Sequence, residues 1–159
     1  MQTPIGEIFL AGNDHHIYLL EFSDGRNAKH AMDQLQSYTQ SEIKLGKPFA
    51  IESLEKELTD YFSGRLKTFK TPLFTFGSPF RKRVWDELIK IPYGETRSYA
   101  EIAQAIGHPT AFRAVAQANG ANRLSIVIPC HRVINSNGAL GGYGGGISRK
   151  EWLLQREKN

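Results

Sequence analysis

Residues 98–120, SYAEIAQAIGHPTAFRAVAQANG, carry the signals for two short helices joined by a tight turn. Ser98, with Glu101 three residues later, forms a capping box and predicts a helix over residues 98–106. Gly107-His108-Pro109 then separates this helix from a second one that continues to about residue 120. Two short helices around such a turn are typical of a helix-turn-helix.

The second of these helices has an unusual composition. Ala111, Val115 and Ala118 can face the core with Phe112 beside them. The neighbouring stripe has one long cation and one amide among small residues, and consists of Arg113, Ala116, Gln117 and Gly120. A bare stripe lets a helix approach a DNA groove closely, but a tightly packed helix pair uses alanine equally well. This segment alone leaves both interpretations open.

The only cysteine of the chain, Cys130, lies downstream in residues 126–133, IVIPCHRV. The apolar run before it predicts a strand over residues 124–128. Pro129 fixes the backbone just before the sulfur, and His131 supplies an imidazole directly after it. A single cysteine excludes a disulfide within the chain and a multi-cysteine zinc site. What remains is a free thiol in a setting that can make a thiolate.

The chain has 159 residues, of which 40% are hydrophobic and 23% charged. This length and composition indicate a globular protein with one domain or two small ones. Residues 1–77 carry 8 Lys/Arg and 10 Asp/Glu, whereas residues 78–159 carry 12 and 6. A surplus of +6 in the second half favours a polyanion such as nucleic acid, although a solubilising surface would explain it equally well. The sequence has no membrane-span pattern and no signal-peptide pattern, so we expect a cytoplasmic protein.

The first half predicts strands over residues 5–11 and 16–22, with a hairpin turn at Gly12-Asn13-Asp14. Helices are expected over 26–38 and 50–62, followed by an extended linker at 66–77.

In the second half, Ser78-Pro79 predicts a helix that runs to about Lys90, and Ser148–Glu151 is a second capping box that opens a last helix. The predicted fold class is α+β. It has a small N-terminal α/β domain with a short sheet (1–77) and a helix-turn-helix, winged-helix-like C-terminal domain (78–159).

Several segments of the second half match a known pattern. Pro129-Cys130-His131-Arg132-Val133 resembles the active-site signature of the O6-alkylguanine-DNA alkyltransferases, also called methylated-DNA–protein-cysteine methyltransferases. Other segments that resemble the family are IPYGETRSY (91–99), FRAV (112–115), GGY (141–143) and KEWLL (150–154), and Asn122 lies eight residues before the cysteine. Residues 78–159 are covered almost continuously, and residues 1–77 only loosely.

The resemblance implies DNA repair by direct transfer of an alkyl group from O6-alkylguanine, and also from O4-alkylthymine, to Cys130. The damaged base would be flipped into the active site of a protein that works as a monomer in the minor groove of double-stranded DNA. A thiolate is the soft nucleophile that this displacement needs. Its thioether product is stable and no second cysteine exists, so we expect one turnover, with no metal and no cofactor.

The resemblance also implies roles for four further residues at the catalytic site. His131 would act as the base, Glu157 would orient its imidazole, and Tyr99 would donate a proton to a ring nitrogen of the leaving guanine. Asn122 would fix the turn before the cysteine. Without the resemblance, Glu157 is a solvated carboxylate, Tyr99 packs at the start of a helix, and Asn122 is an ordinary loop residue.

DNA contacts and a base pocket are implied in the same way. Arg113 would intercalate in place of the flipped nucleotide, and the other DNA-contacting residues would be Tyr99, Ala114 and Gln117. The base pocket would be lined by Cys130, Val133, Tyr143 and Gly144, and the backbone carbonyls of Cys130 and Val133 would accept from the guanine amino group. Gly144 departs from the larger or hydroxyl-bearing residue of many family members, which leaves the range of accepted alkyl groups open. His15, His16 and His30 are expected to be surface residues and not metal ligands.

Three other functions compete with repair. A damage sensor would bind the lesion without transfer, but such relatives lack the cysteine that this chain has as Cys130. A cysteine hydrolase would turn over many times on an ester or peptide and ignore DNA. A transcription regulator would use the helix-turn-helix with sequence-selective affinity.

Overall fold

The chain begins with an antiparallel sheet of three strands, β1 (Gln2–Thr3), β2 (Gly6–Gly12) and β3 (Ile17–Phe22). This computed structural model describes residues 1–159. The Asn13 side-chain oxygen accepts the backbone N–H groups of His15 and His16 at 2.9 and 2.8 Å, which closes the turn between β2 and β3. Both strands and the hairpin are therefore confirmed.

Two helices follow, α1 (Ala28–Thr39) and α2 (Phe49–Phe62), close to their predicted bounds. The segment predicted as a linker is partly tied to the sheet. The Ile17 N–H donates to the Pro72 carbonyl at 2.9 Å, and the Phe74 N–H donates to the Ile17 carbonyl at 2.8 Å. The chain divides into two compact units, Met1–Thr75 and Phe76–Asn159.

The second unit begins with three of its four helices, α3 (Pro79–Ile89), α4 (Tyr99–Ala105) and α5 (Phe112–Gly120). The Ser78 hydroxyl caps α3 as predicted. The predicted capping box of α4 is also confirmed, because Ser98 and Glu101 each accept the other's backbone N–H. The buried Trp85 indole donates to the Ala118 carbonyl at 2.8 Å and so joins α3 to α5.

The strand predicted over residues 124–128 is wrong. These residues form successive turns, in which the Ile128 N–H donates to the Leu124 carbonyl and the Val127 N–H to the Ser125 carbonyl. Ile126 has a φ of 72°, a conformation that a β-branched residue rarely adopts. The apolar run therefore signals burial in the core, and it does not signal sheet pairing.

A 3₁₀ turn (Cys130–Arg132) leads into β5 (Val133–Ile134), which pairs in parallel with β4 (Arg97–Ser98). The last helix, α6 (Ile147–Lys158), begins before Ser148, so the predicted second capping box is wrong. The residue preceding α6 is Gly146, with a φ of 96° and no capping side chain. The architecture is α+β, as predicted, and none of its helices has the length and apolarity needed to span a bilayer.

Candidate functional site

The Cys130 sulfur lies at the start of the 3₁₀ turn and is held by Asn122. Cys130 is 5% exposed. The Asn122 side-chain amide donates to the Cys130 sulfur at 3.2 Å and to the Ile128 carbonyl at 3.0 Å, while its oxygen accepts the Leu124 N–H at 2.9 Å. Asn122 thus fixes the turns before the cysteine and offers a donor to its sulfur. A donor at this position favours the thiolate over the thiol.

His131 is completely buried beside the cysteine. Its Nε2 lies 2.8 Å from a Glu157 carboxylate oxygen, whereas its Nδ1 is buried and has no hydrogen-bond partner. Burial lowers the pKa of His131 and outweighs the opposing effect of Glu157, so the ring is neutral. Because the carboxylate can only accept, the ring proton lies on Nε2 and leaves Nδ1 as a free acceptor.

Glu157, near the end of α6, is held by two neighbouring side chains. Burial alone would raise the pKa of this carboxyl group, but hydrogen bonds from His131 and Arg132 hold it well below its usual range. Arg132 donates through Nε and Nη2 to the two Glu157 oxygens, both at 2.8 Å. Its Nη1 donates to the Ile91 carbonyl at 2.7 Å. The carboxylate is therefore ionised and rigidly oriented toward the imidazole.

Lys150 is a second buried cation of the site. Its ammonium group donates to the Val133 carbonyl at 2.6 Å and to the Gly142 carbonyl at 3.2 Å. Burial lowers the pKa of Lys150 to about 8, although the nearby Cys130 raises it. The ammonium thus ties α6 both to β5 and to the glycine-rich segment before it.

Tyr99, the first residue of α4, is half-buried next to that segment. A Cβ on Gly141, where φ is 71°, would lie 3.0 Å from the Tyr99 hydroxyl oxygen, so a larger residue there would be strained and would crowd the phenol. Burial raises the pKa of the Tyr99 phenol, with a further contribution from Cys130. The phenol therefore keeps its proton at neutral pH and can act as a donor.

The residues predicted to line a base pocket are brought together only in part. Val133 is buried and follows the cysteine turn, and its carbonyl already accepts from Lys150. The Cys130 carbonyl accepts from the Asn119 amide at 3.3 Å. Tyr143 is half-buried, whereas Gly144 is exposed, and a Cβ added to Gly144 would have no atom within 4 Å. A side chain at residue 144 would therefore meet open space.

The helix α5 presents Arg113, Ala114 and Gln117 to solvent, as a nucleic-acid contact requires. Its buried side includes Val115 and Ala118. Phe112 differs from the prediction, because it is 47% exposed and does not join the core-facing residues. It is the first residue of the helix, and residues 107–110 of the preceding turn are exposed as well.

Sequence reasoning missed three polar residues of this site: Arg132, Lys150 and Asn119. In the sequence, Arg132 and Lys150 stand out only as parts of a signature and of a capping box. A buried carboxylate needs a counter-charge, and this requirement is the one available signal for Arg132. No group of three or more His, Cys, Asp or Glu side chains is arranged to hold a metal ion, and His15 and His30 are exposed.

Comparison with known proteins covers the whole chain. Residues 79–159 match the family model of the 6-O-methylguanine DNA methyltransferase DNA-binding domain, and residues 1–75 match that of its ribonuclease-like domain. The methylated-DNA–protein-cysteine methyltransferase of Methanosarcina barkeri is 44% identical, with 100% of this chain and 95% of the relative covered. That of Mycobacterium leprae is 42% identical, with 100% and 90% covered.

A solved structure gives the same result. The crystal structure of Mycobacterium tuberculosis OGT in complex with DNA superposes with a TM-score of 0.86 at 42% identity, covering 99% of this chain and 90% of that one.

Proposed function

Because this chain belongs to the 6-O-methylguanine DNA methyltransferase family, we propose that its single cysteine, Cys130, is the acceptor of the alkyl group. The protein repairs DNA by direct transfer of an alkyl group from O6-alkylguanine to a cysteine of its own. One observation supports the assignment above all others. The buried His131 next to Cys130 has one nitrogen bonded to an ionised carboxylate and the other left as a free acceptor.

The acceptor nitrogen supplies the route for the thiol proton. His131 Nδ1 takes that proton, directly or through one water, and the resulting imidazolium is stabilised by Glu157. Arg132 holds the carboxylate in place from the other side. The Asn122 amide stabilises the thiolate that remains.

The thiolate then attacks the alkyl carbon. A new sulfur–carbon bond forms as the carbon–O6 bond breaks, and its electron pair stays with the guanine. The Tyr99 phenol, protonated at neutral pH, donates a proton to a ring nitrogen of this leaving group. The product is an S-alkylcysteine, and since the chain has no second cysteine, each molecule reacts once. O4-alkylthymine would react by the same bond changes.

DNA is the substrate, and α5 is the element that we assign to its minor groove. The exposed residues of this helix are small apart from Phe112, Arg113 and Gln117, so its backbone can approach the groove closely. The Arg113 guanidinium can replace a flipped base by stacking and hydrogen bonding. We propose that the protein binds as a monomer and acts in the cytoplasm, where a free thiol stays reduced.

The Cys130 sulfur must become accessible before an alkylated base can react with it. Cys130 is 5% exposed, so a flipped base must displace part of the cover over it. The segment 141–146 contains five glycines and Tyr143, and it lies against Tyr99 through Gly141. We assign the pliant cover to this segment, with Tyr143 against the base and open space at Gly144 for larger alkyl groups.

The test is the mass of the protein after incubation with a duplex containing O6-methylguanine. Wild type should gain one methylene, located on the peptide that contains Cys130, and should stop after one equivalent. Cys130→Ala should bind the duplex and gain no mass. Tight binding by wild type with unchanged mass would leave only a damage sensor, and transfer by Cys130→Ala would refute the assignment of the acceptor.

A further inference from the structure

A large apolar ring is exposed at the start of α5. Phe112 is 47% exposed, and its ring has no aromatic or cationic partner. The residues exposed beside it are Arg113 and Ala114, and one turn further on the helix exposes Gln117. Phe112 is thus the one large hydrophobic group on the face that we assign to DNA.

Resting on the proposed function, we infer that Phe112 is an apolar wedge that packs into the minor groove beside Arg113 and contacts the base step next to the flipped nucleotide. Minor-groove proteins insert apolar side chains, phenylalanine among them, between base steps that they partly unstack. Arg113 and Phe112 are consecutive and both exposed, so an arginine that fills the gap left by the flipped base leaves the ring within reach of a neighbouring step.

The positive charge of the second unit and the small apolar area around Phe112 favour duplex DNA over a protein as the partner that binds this face. Residues 78–159 carry 12 Lys/Arg against 6 Asp/Glu, which suits a polyanion. The neighbours of Phe112 on this face offer little apolar area, whereas the core of a protein interface needs several apolar side chains together. Two further exposed residues of α5, Ala114 and Gly120, are small, and they let the helix backbone approach the groove.

The wedge would lower the free energy needed to flip the damaged base out of a duplex. A substrate that needs no flipping should therefore not depend on Phe112. Transfer rates would be measured for wild type, Phe112→Ala and Phe112→Leu on three substrates that contain O6-methylguanine: a duplex, a single strand and the free base. Ile89→Ala is the matched control, because Ile89 is a similarly exposed apolar residue (51%) that ends α3 and is not part of α5. A duplex with 2-aminopurine beside the lesion reports unstacking by its fluorescence.

We expect Phe112→Ala to slow transfer on the duplex about tenfold, equivalent to about 1.4 kcal/mol, and to leave the single strand and the free base within about twofold. Phe112→Leu should fall between, and Ile89→Ala should match wild type. In Phe112→Ala, the increase of 2-aminopurine fluorescence on binding should be smaller than in wild type, in parallel with the slower transfer on the duplex.

Equal rates for Phe112→Ala and wild type on the duplex would overturn the wedge, and so would a similar loss on all three substrates. Dimerisation of free wild type that Phe112→Ala abolishes would overturn it as well, by assigning the ring to a second copy. Each of these results leaves the acceptor role intact provided that wild type still gains a methylene on Cys130. A wild type without that adduct would refute the proposed function instead.

Discussion

Replacement of Glu157 by glutamine tests the buried charge network directly. The carboxylate accepts three hydrogen bonds at 2.8 Å, one from His131 and two from Arg132, and both partners are buried. Glutamine keeps an acceptor for His131 Nε2 but leaves the guanidinium without a counter-charge. Breaking a buried ion pair in this way costs about 3–5 kcal/mol. At about 2–4 °C per kcal/mol for a chain of this length, the melting temperature should fall by roughly 6–20 °C.

The double variant Glu157→Gln/Arg132→Met separates stability from chemistry. It removes both charges, so the uncompensated buried guanidinium, which is the main cost of breaking such a pair, is no longer present. We therefore expect most of the lost stability to return. Methyl transfer should not return with it, because the imidazolium formed at His131 still lacks its carboxylate, and the loss should be about a hundredfold or more.

The assays are a thermal melt and a single-turnover rate on duplex DNA containing O6-methylguanine. The folded pKa of Glu157 lies below its ordinary value of 4.5, so its contribution to stability is present above that pH and is lost as the pH falls below it. Glu157→Gln should lack this part of the acid sensitivity. A double variant that regains both stability and transfer would refute a chemical role for Glu157, and a single variant as stable as wild type would refute the buried pair.

Asn122→Ala should slow transfer and raise the pKa of the Cys130 thiol, because the sulfur loses its amide donor. The rate of thiol alkylation as a function of pH measures this pKa, and a profile identical to that of wild type would contradict the prediction. The same change should destabilise the protein by about 1–3 kcal/mol, since the Ile128 carbonyl and Leu124 N–H lose their partner. Arg113→Ala should weaken transfer on duplex DNA more than on the free base, and equal losses on both would rule out intercalation. Lys150 has its pKa lowered from 10.5 to about 8, so wild-type stability should rise with pH across that interval, and Lys150→Met should abolish the rise in denaturant titrations.

Local signals in the sequence predicted the helices well. The caps at Ser78 and Ser98 depend on residues three positions away, and the structure confirms both. The second capping box failed because a left-handed Gly146 starts α6 before Ser148 can cap it. The predicted strand failed because β-branched residues also fill a buried turn, here with Ile126 in the left-handed region.

The charged part of the site could not be derived from local patterns. The Arg132–Glu157 pair joins residues 25 apart, and the Arg132 bond to the Ile91 carbonyl spans 41. Lys150 meets the Val133 carbonyl across 17 residues. Such contacts follow from the packing of α6 against the cysteine turn, so the sequence predicted the nucleophile and its neighbour but not the cations that surround them. Phe112 shows the same limit, because helical spacing alone cannot tell where the core ends.

The bond between the Trp85 indole and the Ala118 carbonyl gives the protein an optical reporter. Trp85 is 2% exposed and sits on α3, while its acceptor belongs to α5. Indole emission responds to polarity and hydrogen bonding. A movement of α5 relative to α3 on DNA binding that alters this bond should therefore shift the wavelength of maximum tryptophan emission, without an added label. The chain has two tryptophans, and Trp152→Phe leaves Trp85 as the sole tryptophan, which excitation at the red edge of indole absorption selects over the tyrosines.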